Sequence, residues 1–185
     1  NCLTTLDSEI SSSVQMLELA HNPLSQAQLT APTIASLTQL DLSYANLARL
    51  NESLFRSLPA LTHLTLDHNQ FASLPPLDVL TALEHLSCAA NALTHLPDSI
   101  GGLRALQRLD VQNNNLRALP AGLWRCPNLY AINASSNLLD TFPLPPDTAT
   151  PDGQRANPLK YSLVLLRLAD NRLTDDVFSV LTLLS

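Results

Sequence analysis

Apolar and polar residues alternate along the chain in one short pattern, which is clearest at residues 106–116, LQRLDVQNNNL. Apolar side chains occupy positions 1, 4, 6 and 11 of this segment and Asn occupies position 9, giving LxxLxLxxNxL. The alternation around positions 4 and 6 has the two-residue period of a β-strand that buries one face. The pattern occurs seven times, so the sequence predicts seven short strands over positions 3 to 7, each followed by a turn and a return segment.

The copies are spaced almost evenly. Their ninth positions are 22 to 24 residues apart, except for a gap of 34 residues before the last copy. This pattern and period resemble those of leucine-rich repeats, in which each unit buries its apolar edge only against its neighbours. We therefore predict an α/β fold, a leucine-rich-repeat solenoid or horseshoe. A parallel sheet should line its concave face, with short helices, 3₁₀ turns and loops on its convex face.

The same spacing predicts how the chain is divided. Residues 1–185 should form one leucine-rich-repeat domain with about seven full repeats and a partial repeat at each end, which indicates a fragment of a larger protein. Residues 140–161 are rich in Pro and Thr and should be a loop insertion within the domain. Longer helices are expected at 25–37, 51–58 and 174–184. A short helical or 3₁₀ turn is expected within 96–103, where Asp98 or Ser99 could cap it.

The Asn at position 9 has a structural explanation. Its amide can satisfy backbone groups that the turn after the strand would otherwise bury without partners. Ala45 takes this place in the second repeat, so we expect an interrupted ladder and a looser turn there. The ladder itself is predicted to comprise Asn22, Asn69, Asn91, Asn114, Asn137 and Asn171.

Outward-facing strand positions make the concave face the candidate binding surface. Glu18 and Asp41 should be adjacent, with Asp67 one row over, and this acidic patch suits a partner that carries basic residues. An ordinary solvated sheet face is the alternative. The partner-binding residues predicted on this face are Glu18, Asp41, Tyr44, His63, Asp67, His85, Arg108, Asp110, Gln112 and Arg167.

Composition excludes several other classes of function. A net charge of −6 is opposite to the basic face that nucleic acid requires, and no apolar run reaches the roughly 20 residues of a membrane span, so no direct membrane insertion is expected. Three widely separated cysteines do not form a disulfide framework and favour a reducing compartment. His63, His85 and Asp67 lack a compact zinc-ligand motif, and we predict no metal, cofactor or catalytic residue in this chain.

Three segments carry a resemblance to a known family. They are Gly122-Leu-Trp-Arg-Cys-Pro-Asn-Leu, the Asn133-Ala-Ser-Ser-Asn-Leu-Leu step with its Pro-rich sequel, and Ala169-Asp-Asn-Arg-Leu-Thr-Asp-Asp. They resemble the repeat region of fungal adenylate cyclases, most closely from Leu83 onward. The resemblance implies a large cytoplasmic, membrane-peripheral parent that makes cAMP from ATP with magnesium. It also implies activation by Ras, a small GTPase, in its GTP form, partly through the repeats.

A different function is kept open beside this one. Leucine-rich-repeat protein phosphatases of the PH-domain type share the Asn171-Arg-Leu-x-Asp step, and related repeats occur in scaffold proteins with no cyclase role. Under either hypothesis the chain serves protein–protein recognition.

Overall fold

The computed structural model describes residues 13–24, 33–143 and 162–174. The helices predicted at 25–37 and 174–184, most of the insertion at 140–161, and the chain ends lie wholly or largely outside these residues. The described part contains one parallel sheet whose strands follow chain order from the first to the last. These strands are β1 (Met16–Glu18), β2 (Gln39–Asp41), β3 (His63–Thr65), β4 (His85–Ser87), β5 (Arg108–Asp110), β6 (Ala131–Asn133) and β7 (Leu165–Arg167).

The strands pair in register, repeat upon repeat, as the sequence predicts. Leu40 lies beside Leu64, and Leu109 lies beside Ile132, with each central side chain directed into a continuous apolar core. Leu109 is 1% exposed and Ile132 is 0% exposed, whereas Leu166 on the edge strand β7 is half-buried against the same core. The predicted solenoid is therefore confirmed.

Each strand covers positions 3 to 5, which is shorter than the predicted span of positions 3 to 7, and the chain turns sharply at position 8. All seven residues at this position have a positive φ, between 52° and 61°. A residue in the left-handed conformation cannot continue a β-strand. Backbone hydrogen bonds between repeats nevertheless extend as far as this turn, for example from the Tyr44 N–H to the Asp67 carbonyl. The seven residues are His21, Tyr44, His68, Ala90, Asn113, Ser136 and Asp170.

The Asn ladder forms as predicted. Asn114 is representative: its Nδ2 donates to the carbonyls of Cys88, Val111 and Gln112 at 2.9 to 3.1 Å, and its Oδ1 accepts from the Leu93 N–H at 2.9 Å. From Asn69 onward, each rung therefore links position 11 of one repeat to the turn of the next. This bonding explains why an amide, which both donates and accepts, recurs at position 9.

Ala45 interrupts the ladder, but the turn there is closed rather than loose. In the second to sixth repeats the position 11 N–H donates to an Asn side-chain oxygen of the next repeat, for example that of Asn114. Here the Leu24 N–H donates at 2.7 Å to the backbone carbonyl of Ala45. Asn46 adopts a second positive φ of 57°, which turns the chain so that this carbonyl can replace the missing amide. The expectation of a looser turn was wrong because a backbone group performs the task of the side chain.

The convex side carries one α-helix and two 3₁₀ helices within the described residues. Helix α1 (Glu52–Arg56) begins at Asn51, whose side chain accepts from the Ser53 N–H, and it is shorter than the predicted 51–58. The 3₁₀ helices η1 (Asp98–Gly102) and η2 (Ala121–Arg125) pack against each other. None of the described helices is long and apolar enough to cross a bilayer.

The predicted cap of η1 was wrong. Pro97 occupies the N-cap position and no side chain caps this end. The Ser99 hydroxyl instead accepts from the Leu77 N–H at 3.0 Å, in the preceding repeat. The hydroxyl thus stabilises the stacking of two coils rather than the end of its own helix.

Candidate protein-binding surface

The concave sheet presents its outward side chains as rows, because equivalent residues of neighbouring repeats stand side by side. The register places Glu18 beside Asp41, and His63 beside His85, as predicted. Two of the depressions among the described residues follow the sheet. One of about 180 Å³ lies on β1 to β3, and the other, of about 440 Å³, runs over β3 to β7. We call the larger one the concave groove.

Among the described residues, two carboxylates of the acidic patch accept hydrogen bonds and the third, that of Glu18, accepts none. Asp41 Oδ1 accepts from the Ser43 N–H at 2.8 Å and from the Ser43 hydroxyl at 2.6 Å. Asp67 Oδ1 accepts from the Ser87 hydroxyl at 2.7 Å and from the Ala89 N–H at 2.8 Å. Glu18 is exposed on the edge strand β1, so it is the member of the patch best placed to meet a partner.

Asp67 replaces a local contact with one to the next repeat. In the second repeat, Asp41 at position 5 accepts from the position 7 N–H of the same repeat. The fourth repeat has Ser87 at position 5, and its position 7 N–H, that of Ala89, donates to Asp67 of the preceding repeat. Burial raises the pKa of Asp67, an effect that the bonds from Ser87 and Ala89 oppose. This carboxylate therefore serves the turn of the following repeat as well as facing the concave side.

The β3 to β5 part of the concave groove carries nitrogen-rich side chains in a single row. The rings of His63 and His85 are 4.3 Å apart between centroids and tilted by 48°. Arg108 follows on β5, with its Cζ 5.2 Å from the Tyr130 ring centroid and its Nε–H donating to the Tyr130 hydroxyl. Tyr130 holds the guanidinium by this contact, and sequence analysis missed this residue because it lies one position before its strand.

The later part of the groove is a hydrogen-bonded polar cluster. Asp110 accepts from the Gln112 N–H at 3.0 Å and from Asn133 Nδ2 at 3.1 Å. Asn133 Nδ2 also donates to Gln112 Oε1 at 3.1 Å. Arg167 is exposed on β7 beside Asn133, so it remains available at the far end. Asp110 and Arg167 line the groove, and Gln112 is joined to it through its bonds with Asp110 and Asn133.

Tyr44 belongs to an aromatic stack that sequence analysis did not identify. Its ring lies between those of His21 and His68, with centroid separations of 4.4 and 4.2 Å and interplanar angles of 12° and 8°. The three residues share position 8, where the positive φ orients successive side chains alike. Aromatic residues at position 8 of three consecutive repeats were the available signal.

Two cysteines lie within the described residues, and both are buried in the apolar core. The buried thiols of Cys88 and Cys126 are poor nucleophiles, since burial raises the pKa of both, that of Cys126 to about 11. Within the described residues, no three His, Cys, Asp or Glu side chains are grouped so that they could hold a metal ion. What remains is a polar concave face with charged, aromatic and amide groups at regular intervals.

Comparisons with known proteins agree with this architecture. Adenylate cyclase of Schizosaccharomyces pombe is 27% identical over 168 residues, covering 80% of this chain and 10% of the relative. Adenylate cyclase of Mycosarcoma maydis is 44% identical over 88 residues, covering 47% of this chain and 4% of the relative. The chain thus spans a tenth or less of the length of these two relatives.

A solved structure shows the same fold in a bound state. It is the repeat ectodomain of the Arabidopsis thaliana receptor kinase GASSHO1/SCHENGEN3, in complex with Casparian strip integrity factor 2. It has a TM-score of 0.66 and 29% identity, covering 88% of this chain and 19% of that one. The family model described as leucine rich repeat matches residues 12–71 and 81–139, and the chain therefore belongs to the leucine-rich repeat family of protein-recognition repeats.

Proposed function

We propose that the concave face binds a Ras-type small GTPase, and that the chain is the regulatory repeat region of an adenylate cyclase. The parent makes cAMP from ATP, and its magnesium is held in a catalytic domain outside this chain. This assignment places the protein in the cytoplasm, at the membrane periphery through its partners. The observation that carries the proposal is the exposed, charge-patterned concave sheet; the similarity to two fungal cyclases supports the choice of parent.

The distribution of charge on the sheet supports an oriented partner. Glu18, Asp41 and Asp67 lie on the first three repeats, while Arg108 and Arg167 lie on β5 and β7. Separated charges of opposite sign favour one docking orientation over its reverse, and they speed association. A GTPase that binds here is expected to present basic residues toward β1 and acidic residues toward β5 to β7.

A capture experiment with GTP-loaded and GDP-loaded Ras tests the proposal. The chain should retain the GTP form in preference to the GDP form, and Glu18→Lys should weaken capture several-fold, mainly by slowing association. Glu18 is the informative position, because reversing Asp41 or Asp67 would also remove bonds that hold the turns. Asp140→Lys is the matched control, since Asp140 is exposed and lies outside the concave rows.

Three results would count against this assignment. Equal capture of the two nucleotide forms would remove the regulatory role. Equal loss in Glu18→Lys and Asp140→Lys would move the site off the concave face. A parent gene that encodes no nucleotide-cyclase domain would favour the phosphatase or scaffold hypothesis.

A further inference from the structure

The concave groove has a charge that differs from that of the chain as a whole. Its lining includes the imidazoles of His63 and His85, the guanidinium groups of Arg108 and Arg167, and the carboxylate of Asp110. The complete chain carries a net charge of −6. A local excess of nitrogen donors on an acidic protein is therefore a feature of this groove and not of its overall composition.

His63, His85 and Arg108 form one short row that can surround an anionic group. They occupy position 3 of consecutive strands, which lie about 4.8 Å apart. His63 Nδ1 is engaged with the Thr62 hydroxyl at 2.9 Å, which leaves Nε2 as the ring nitrogen that faces a ligand. The Arg108 Nε–H is likewise engaged by Tyr130, so its terminal N–H groups can form the paired bonds that a carboxylate accepts.

The nearby acid does not cancel this row. Asp110 lies one row away, and its two carboxylate oxygens accept from the Gln112 N–H and from Asn133 Nδ2. These two bonds hold the carboxylate toward Gln112 and Asn133 rather than toward Arg108. Arg108, by contrast, has no ion pair with an acid among the described residues.

The length of the groove indicates the kind of ligand. Five strands, β3 to β7, cover roughly 19 Å at the usual spacing of strands. An extended peptide advances about 3.3 Å per residue, so roughly six residues would cross the groove. Arg167 lies at the β7 end, where it can contact a second acidic side chain of the same segment.

From this geometry we infer that the concave groove binds an extended acidic segment of the partner protein, with one carboxylate held jointly by His63, His85 and Arg108. The inference rests on the proposed function, because it specifies the chemistry of the partner at the same concave face. A second carboxylate, about four residues along the segment, contacts Arg167.

Binding of this kind is linked to protonation of His85. Burial, then His63 and Arg108, lower the pKa of His85, so its imidazole is neutral near pH 7 in the free protein. A bound carboxylate favours the imidazolium form, and affinity should therefore increase as the pH falls. The charged groups that face His63 and His85 from their own and adjacent strands are Asp41, Glu84, Arg108 and Asp110.

The probe is fluorescein-labelled hexaglutamate, with hexaglutamine and hexalysine as matched peptides, measured by fluorescence anisotropy at physiological salt. Hexaglutamate should bind at least tenfold more tightly than either control, although the net charge of the chain favours hexalysine. Arg108→Gln should weaken binding at least fivefold, while Arg117→Gln, at an exposed residue outside the groove, should change it less than twofold. Lowering the pH from 7.5 to 6.0 should strengthen binding at least threefold in the unmodified chain, and less in His85→Gln.

Circular dichroism of each variant verifies the fold, so that lost binding is not confused with unfolding. Equal binding of hexaglutamate and hexaglutamine, no effect of Arg108→Gln, or full displacement by millimolar inorganic phosphate would each overturn the inference. Loss of hexaglutamate binding with GTP-dependent capture of Ras retained would overturn the acidic-segment inference alone. Hexaglutamate binding without GTP-dependent capture would overturn the Ras assignment alone.

Discussion

Replacement of Asn114 by alanine is the most direct test of the physical basis of this fold. The side chain is buried and forms four hydrogen bonds with backbone groups. Asn114→Ala keeps the backbone path and removes all four bonds. The loss of each bond has a different cost in the free energy of unfolding, which depends on whether the backbone group keeps another hydrogen-bond partner.

The Leu93 N–H is the group that loses most. It belongs to a residue that is 0% exposed, and it donates to Asn114 Oδ1, so the substitution leaves a buried donor unpaired, which costs about 1–3 kcal/mol. The carbonyl of Cys88 keeps a bond from Asn91, and that of Val111 keeps one from Asn137. Lost bonds to carbonyls that keep another donor cost less, about 0.5 kcal/mol each. We expect a total destabilisation of about 3 kcal/mol.

Urea unfolding, followed by the fluorescence of the single and buried Trp124, measures this cost. With an unfolding slope of about 2 kcal/mol per molar urea, the midpoint should fall by about 1.5 M. Asn115→Ala is the control, because Asn115 is exposed and its bond to Leu93 uses only the backbone N–H. Equal midpoints for the two variants would refute the argument that the amide, rather than asparagine at a turn, stabilises the solenoid.

Four further expectations follow from individual contacts. Ala45→Asn should lower stability by about 1–3 kcal/mol in urea unfolding, because Ala45 is fully buried and its carbonyl already bonds the Leu24 N–H; a gain in stability would contradict this. Gly122→Ala should lower the Tm, since a Cβ there would lie 2.5 Å from the Asp98 carbonyl oxygen, whereas Ala121→Ser at an exposed neighbour should leave it nearly unchanged. Iodoacetamide at pH 7.5 should leave Cys88 and Cys126 unmodified in the folded chain and alkylate both in urea, as peptide mapping would show. Burial raises the pKa of Asp67, so ionisation of this carboxyl opposes folding. The stability of the unmodified chain relative to Asp67→Asn should therefore fall as the pH rises through that pKa. A constant difference between the two urea midpoints across pH 3.5 to 7 would contradict this expectation.

Functional residues on the concave face could be predicted only in part. Periodicity correctly placed Glu18 beside Asp41 and His63 beside His85, because neighbours in a parallel sheet are set by register alone. It did not distinguish a free carboxylate from an engaged one. Asp41 and Glu18 occupy the same position of the pattern, yet the hydroxyl of Ser43 engages only Asp41.

The LxxLxLxxNxL pattern by itself determined the solenoid, its seven strands, their register and the Asn ladder. These features depend on a few residues within each repeat, and every repeat meets the same geometric demand. Only the tertiary structure decided the stack at Tyr44, the contact of Tyr130 with Arg108 and the bond from the Leu77 N–H to Ser99. Those contacts join residues 22 to 24 positions apart. They depend on the backbone angle and side-chain rotamer that each repeat adopts once its neighbour is in place.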